Sequence, residues 1–460
     1  MTSSINPQIF REYDIRGVVG EDLTPDSVTK IGKAIGTFMK RNGGKTLVLG
    51  RDVRASSVEF RDILSDALNS TGCDIIDIGM VPTPVTYFAL HHLNADGGVM
   101  ITGSHNPPEF NGFKISQGHH SLYGEKVQEL KKLIETNDFE TGIGSTRQQA
   151  VLEDYMDKIC TILKISRNVK VVVDGGNGCF GIVGPDLLRK LGQSPIELFS
   201  EPDGTFPNHH PDPTVPKYLT SLIEKVRSEN AELGIGFDGD ADRIGLVDEK
   251  GNVLWGDQLL IIFARDILSR NPGATIVGEV KCSQNLYQDI EKRGGVAVMA
   301  AAGHSLIKNK MRETGALLAG EMSGHICFAD NYYGYDDAIF AACRILQIVA
   351  QSGQKVSEML ADLPETASTP EIRIDCPDEK KFEIVRELTE FFRKQYEVID
   401  IDGVRINFSD GWALIRASNT QPVLVLRFEA VTEERLKELV AIVKKQMDNY
   451  QPAVQFIYEP

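Results

Sequence analysis

No CxxC pair occurs among the seven cysteines of this 460-residue chain, which stand alone at Cys73, Cys160, Cys179, Cys282, Cys327, Cys343 and Cys376. That spacing argues against a sulfur-held metal or a disulfide framework and fits reduced thiols in the cytosol. Positive charge is also in short supply: Lys+Arg number 49 against Asp+Glu 65, a formal net charge of -16. A nucleic-acid partner or an anionic membrane is therefore disfavoured, and an anionic substrate would need a locally positive cleft. The start, Met1-Thr2-Ser3-Ser4-Ile5-Asn6-Pro7, lacks the basic and apolar stretches of a signal peptide, and no apolar run approaches the ~18 residues of a membrane helix. The expected location is the cytoplasm. Low-complexity tracts are absent as well, and with 42% hydrophobic and 25% charged residues the composition is that of an ordinary soluble protein. At roughly 100 to 200 residues per domain, the length predicts about three or four folding units.

What is present repeats. Thr46 to Asp52, Val169 to Gly175 and Ala274 to Glu279 each write a short β-branched run that ends in a polar or glycine turn and becomes helical. This is the βα grammar of a largely parallel sheet. Later in each stretch a second apolar strand stops at small, oxygen-bearing residues: Gly98 to Ile101 before Thr102-Gly103-Ser104-His105, Leu233 to Phe237 before Asp238-Gly239-Asp240, and Ala316 to Gly320 before Glu321-Met322-Ser323. Open α/β sheets place ligand groups at such strand ends. The fold expected is three related α/β domains with mixed, largely parallel sheets (1–150, 151–252 and 253–364) plus a smaller C-terminal α+β domain (365–460) around one cleft. Pro364 to Pro370 reads as a linker, followed by a strand, a charged helix near Lys380 to Tyr396, two strands (Gly411 to Arg416 and Val423 to Phe428) and a helix from Glu433 to Asn449. The loop between those two strands, Ala417-Ser418-Asn419-Thr420-Gln421-Pro422, is rich in hydroxyls and amides and suits an anion.

Asp238, Asp240 and Asp242 pack three carboxylates into five residues just past a strand. Such a cluster repels itself, and a hard cation such as Mg2+ is its natural neutraliser. The alternatives are a solvated acidic turn and a calcium loop. The latter needs glycine where Arg243 stands and helical flanks where strands are expected, with Glu249 as its twelfth residue. Ser104 stands beside Gly103 and ahead of Pro107 and Pro108, exposing one hydroxyl at the end of a rigid element; a turn-capping cluster is the bland reading. His105 is not expected to serve that serine as a base, because neighbouring side chains in extended backbone point apart. Gly176-Asn177-Gly178-Cys179-Phe180-Gly181 matches GxGxxG after a strand, with Glu197 downstream, so a dinucleotide-dependent oxidoreductase is a rival. It leaves the aspartates and Ser104 unexplained, and tight-turn packing is the preferred reading. Arg16, Lys114, Arg243, Lys281, His304, His325, Arg416 and Arg427 fall at loop positions beside these motifs. Singly each is an ordinary surface charge, but together they could offset a phosphorylated sugar.

Phe10-Arg11-Glu12-Tyr13-Asp14-Ile15-Arg16-Gly17, TGSHNPP at Thr102, DGDADR at Asp238, GEMSGH at Gly320 and RASNT at Arg416 together resemble the signatures of the bacterial phosphomannomutase/phosphoglucomutase family of phosphohexomutases. The resemblance runs nearly the whole chain. It implies a heart-shaped, four-domain molecule that moves a phosphoryl group between the 1- and 6-positions of glucose or mannose through a hexose 1,6-bisphosphate. By the same resemblance Ser104 bears the phosphoryl group and joins Asp238, Asp240 and Asp242 around Mg2+, with Arg243 beside them. Glu321 and Ser323 take the sugar 3- and 4-hydroxyls with His325 nearby, and Arg416, Ser418, Asn419 and Thr420 hold the phosphate not being transferred. Arg16, Lys114, Lys281 and His304 line the cleft, Tyr13 and Arg427 join the substrate-binding set, and Lys114 is favoured as proton shuttle. Phosphoglucosamine mutase is the alternative, although that group usually carries glutamine where Met322 stands. A phosphosugar is the expected partner, and a monomer, with a dimer as alternative, the expected state.

Overall fold

The computed structural model describes residues 5–419 and 421–456. Three of its sheets share one four-strand pattern. In the first, Phe110–Gln117, Gly97–Ile101, Thr46–Arg51 and Asp74–Met80 lie side by side; in the second, Ile244–Asp248, Leu233–Phe237, Val171–Asp174 and Ile196–Leu198; in the third, Ile326–Phe328, Leu318–Gly320, Thr275–Glu279 and Val296–Ala300. In every case the first strand of the set runs antiparallel to the second and the remaining pairs are parallel. The three chemistry-bearing loops are therefore the same turn in three copies, each linking a parallel strand to its antiparallel neighbour at the sheet's carboxyl end.

The parallel strands are sequence-continuous hydrophobic runs because helices cover both faces; Val171–Asp174 and Leu233–Phe237 are buried throughout. One core is shared by all three units, from Val48 and Phe88 through Phe180 and Phe237 to Phe263, Phe328 and Phe340. Burial of that continuous interior fixes the three loops relative to one another.

The C-terminal sheet is antiparallel, ordered Ala367–Ser368, Val423–Ala430, Gly411–Ala417, Val404–Phe408, Glu397–Ile399, with Ile372–Asp375 also on Val423–Ala430. Helices Asp378–Arg393 and Glu433–Met447 pack on it. Two corrections to the sequence reading follow. The expected linker contains a paired strand, Ala367–Ser368, and the short strands Glu397–Ile399 and Val404–Phe408 escaped notice. Ala367–Ser368 is a two-residue segment whose partner lies about 60 residues on, and Glu397–Ile399 and Val404–Phe408 are short strands of a meander, so local pattern carries little of their signal.

Candidate active site

Ser104 sits at φ +47°, in the left-handed region, which turns its side chain out of the line of the preceding strand. The strain is held by Arg54, a buried guanidinium that donates to the carbonyls of Ser104 (2.9 Å), Pro107 (2.6 Å) and Phe110 (3.0 Å) and also to that of Asn106, with Asp52 at 3.2 Å from Nε. Thr102 Oγ1 accepts from the Ser104 amide at 2.8 Å. Ser104 Oγ then donates to Asp238 Oδ2 at 2.9 Å and lies 3.2 Å from His105 Nδ1. The expectation about His105 is thus corrected: the pair is in a turn, not a strand, so neighbouring side chains converge. Burial, then the charges of Arg243 and Arg16, keep the His105 ring well below its ordinary pKa and hence neutral.

Asp238, Asp240 and Asp242 are all fully buried and each offers an oxygen within 4.8 Å of the others. Lys114 Nζ reaches Asp240 Oδ2 at 2.7 Å and also Asp242 Oδ2, while Thr83 donates to Asp240 at 2.6 Å. Burial and then the other two charges push Asp238 well above the carboxylate range. Burial acts the same way on Asp242, but Lys114, His325 and Arg243 outweigh it and hold that group well below. Among the described residues Asp240 Oδ1 and Asp242 Oδ1 have no hydrogen-bond partner. A set of hard oxygens with two orphaned lone-pair sites is what a divalent cation requires, so the residues fit a metal. The calcium-loop reading fails here, since strands Leu233–Phe237 and Ile244–Asp248 flank the cluster and Glu249 Oε1 instead accepts from Ser357 at 2.6 Å.

Close backbone packing sets the two loops against each other. A Cβ on Gly239 would meet the Ser104 carbonyl oxygen at 2.4 Å, and one on Gly178 would meet that of Gly239 at 2.7 Å. The GxGxxG turn therefore buttresses the aspartate loop, with the Cys179 amide donating to the Gly239 carbonyl at 2.9 Å, and Glu197 is paired with Arg189. Packing explains these glycines without a dinucleotide.

The third loop closes on the second. His325 Nδ1 is 2.8 Å from Glu321 Oε2 and 3.3 Å from Ser323 Oγ, its Nε2 accepts from Arg243 at 3.2 Å, and the same nitrogen lies 3.4 Å from Asp242. Glu321 Oε1 accepts from the Gly303 amide at 2.6 Å. Burial works upward on Glu321, but His325, Lys281 and that amide bring its pKa down to about 2. The His304 ring is tilted at 36° to that of His325 with centroids 5.4 Å apart and lies 3.3 Å from Asp336, with burial and Lys308 lowering its pKa. Arg16 bonds Asp14 at 2.8 Å and the Asn106 side chain of the serine loop.

From the fourth unit, Asn419 donates to Tyr13 Oη at 2.9 Å, and that hydroxyl donates to the Ala302 carbonyl at 2.7 Å. Arg416 pairs with Asp402 at 2.9 Å, and Asp402 also accepts from the Ala302 amide at 3.0 Å. Ser418 Oγ accepts from the Gln421 amide at 3.1 Å. Arg427 is buried against Asp257 and Met322 Sδ, and Lys281 pairs with Glu371 at 3.2 Å. Thr420 lies outside the described residues. Arg54, Asp52, Thr83, Asp336 and Asp402 were not anticipated. The signal for the first two was present in Gly50-Arg51-Asp52-Val53-Arg54, polar residues at the end of the first parallel strand.

Models of the phosphoglucomutase/phosphomannomutase domains match residues 7–141 (alpha/beta/alpha domain I), 153–251 (domain II), 255–367 (domain III) and 371–446 (C-terminal domain). A phosphomannomutase/phosphoglucomutase of Pseudomonas aeruginosa is 47% identical over 440 residues, 95% of each chain. A phosphoglucomutase of Neisseria gonorrhoeae is 43% identical over 442 residues, 95% of this chain and 96% of that one. The crystal structure of a phosphoglucomutase/phosphomannomutase family protein from Burkholderia thailandensis superposes with a TM-score of 0.93 at 41% identity, covering 99% of this chain and all of the other. The chain belongs to the phosphoglucomutase/phosphomannomutase family.

Proposed function

We propose that this protein is an isomerase that interconverts hexose 1-phosphate and hexose 6-phosphate, of glucose, mannose or both, through a phosphorylated Ser104 and a hexose 1,6-bisphosphate. The observation that carries the reading is the Ser104 hydroxyl held 2.9 Å from a buried aspartate trio. Phosphoryl transfer asks for in-line placement and charge neutralisation. Magnesium bound by Asp238, Asp240, Asp242 and the Ser104 oxygen would supply that neutralisation. The bond between Ser104 Oγ and phosphorus breaks as one sugar hydroxyl forms the new ester, giving the bisphosphate. The intermediate turns around, and its other phosphate returns to Ser104. Glu321 and Ser323 orient the ring hydroxyls, while Arg416, Ser418, Asn419 and Thr420, with Lys281, Tyr13 and Arg427, hold the idle end.

A proton leaves the attacking hydroxyl and another returns to the serine oxygen. Burial alone would lower the Lys114 ammonium, but Asp240 and Asp242 hold it above the ordinary lysine range, so in this arrangement it stays protonated beside the transferred group, and it is the residue we propose as proton shuttle. Arg16 and Arg243 complete the cationic wall around the transferred group, and His304 adds a neutral imidazole beside it. No helix among the described residues is long and apolar enough to cross a membrane. With the net charge of -16, we read a cytoplasmic phosphosugar enzyme without a nucleic-acid or membrane partner, a monomer with a dimer as the alternative.

Intact-mass measurement of purified protein should show one phosphoryl group that Ser104→Ala lacks, and turnover of glucose 1-phosphate and mannose 1-phosphate should vanish with chelation. Undiminished turnover in Ser104→Ala or in excess chelator would refute the mechanism. Glucosamine 1-phosphate, run alongside, separates the phosphoglucosamine mutase alternative.

A further inference from the structure

A second cavity, of about 770 Å³, opens between the first and third units and touches neither the serine loop, the aspartates nor the C-terminal loop. Its size is that of a small-molecule site. Lys126 comes to it from one unit and Arg312 from the other. Among the described residues neither forms an ion pair with a carboxylate: Lys126 donates to Gln117 and Arg312 to Asn309. Burial, then Arg312, His119 and Lys126, depress the titration of His120, which places its ring close to both cations. Glu12 and Glu125 are the carboxylates on this wall. In a protein of net charge -16, such a concentration of basic groups with two unpaired cations is a local exception that favours an anion.

The same wall carries an aromatic platform. The His91 ring lies between those of His119, at 3.8 Å and 25°, and Tyr333, at 4.4 Å and 23°. Burial, then His119 and His120, bring His91 down to about 4, leaving it a neutral ring. Tyr333 is 36% exposed. Ser305 Oγ, on a residue 2% exposed, lines the cavity without a hydrogen-bond partner. A flat π surface beside two cations without carboxylate partners, backed by a buried hydroxyl without a hydrogen-bond partner, suits a ligand with a planar ring and a phosphate more than a phosphosugar, which has no π face.

We propose that this cavity is a second ligand site that takes a nucleoside phosphate, its phosphates between Lys126 and Arg312 and its base on the Tyr333 platform. The wall also reaches the catalytic groups. Lys308, another lining residue, bonds Asp336 at 2.7 Å, and Asp336 lies 3.3 Å from His304. Occupancy would bear on hexose phosphate affinity through that chain.

The probe is ADP, titrated calorimetrically into the intact enzyme saturated with equilibrated hexose phosphates, so that the catalytic cleft is filled. Expected are one ADP per chain, at least tenfold weaker binding in the Lys126→Ala/Arg312→Ala double variant and in Tyr333→Ala, and unchanged turnover of these variants without ADP. Absence of binding at millimolar ADP, displacement of ADP by hexose phosphate, affinity untouched by the substitutions, or equal affinity for pyrophosphate would each overturn the proposal.

Discussion

Ser104 combines an unfavourable backbone conformation with a fully buried hydroxyl, and Arg54 is the residue that makes this tenable. Its planar guanidinium satisfies four carbonyls of one loop at once, a geometry that a single ammonium cannot reproduce. Arg54→Lys should therefore leave the phosphosugar contacts in place and misplace the hydroxyl. We expect kcat to fall by at least about tenfold, a barrier change of about 1.4 kcal/mol, with KM altered less than about threefold. Steady-state kinetics and the stoichiometry of serine phosphorylation check it; a rise in KM with constant kcat would instead put Arg54 in substrate binding. Arg54 was legible only as one polar residue at a strand end, because its role is defined by carbonyls about 50 residues away, and carbonyls leave no mark in a sequence.

At the scale of elements, the three site loops are one repeated turn, and the serine and aspartate loops meet backbone to backbone at a glycine. Gly239 has no room for a methyl group, since a Cβ would stand 2.4 Å from the Ser104 carbonyl oxygen, a backbone atom. Gly239→Ala must push the two loops apart, at a cost of about 1–3 kcal/mol. Melting measurements should show that loss, and turnover should fall at least about tenfold as Ser104 Oγ moves away from Asp238. Normal stability and activity would mean that the loops give way freely. The repeat itself was readable, because each strand writes its burial in consecutive apolar residues. What the pattern did not carry was Ala367–Ser368, two residues that pair with Ala430 and Glu429.

Across the whole molecule, the C-terminal unit is joined to the third by few but buried contacts. Trp412 and Leu414 pack on Val280 and Ala302, and Arg405 donates to the carbonyls of Val280 and Cys282 at 2.6 and 2.9 Å. Lys281 and Glu371 form an ion pair across the same seam. Lys281, followed by burial acting in opposition and Arg373, leaves Glu371 at about 2 from an ordinary 4.5. A carboxyl depressed on folding stabilises above its unfolded pKa and loses that contribution as pH falls through its folded value. The window here runs from about 4.5 down to about 2, and for a partly exposed pair the effect is about 1–3 kcal/mol. Glu371→Gln should lower stability near neutral pH and flatten its pH dependence within that window, as followed by denaturant unfolding. An unchanged slope would remove the pair from the seam's energetics.

The groups proposed for the chemistry were already legible in the chain itself: a lone serine after a glycine, alternating aspartates and a GEMSGH turn each fall within a few residues, where local backbone fixes their proximity. Tertiary structure alone decided which charges meet. Lys114 finds Asp240 across 126 residues, Tyr13 finds Asn419 across 406, and His105 turns toward its neighbour because a distant guanidinium holds the loop at positive φ. Such encounters depend on shared burial between separate units, and burial is a property of the packed molecule that no short stretch of sequence contains.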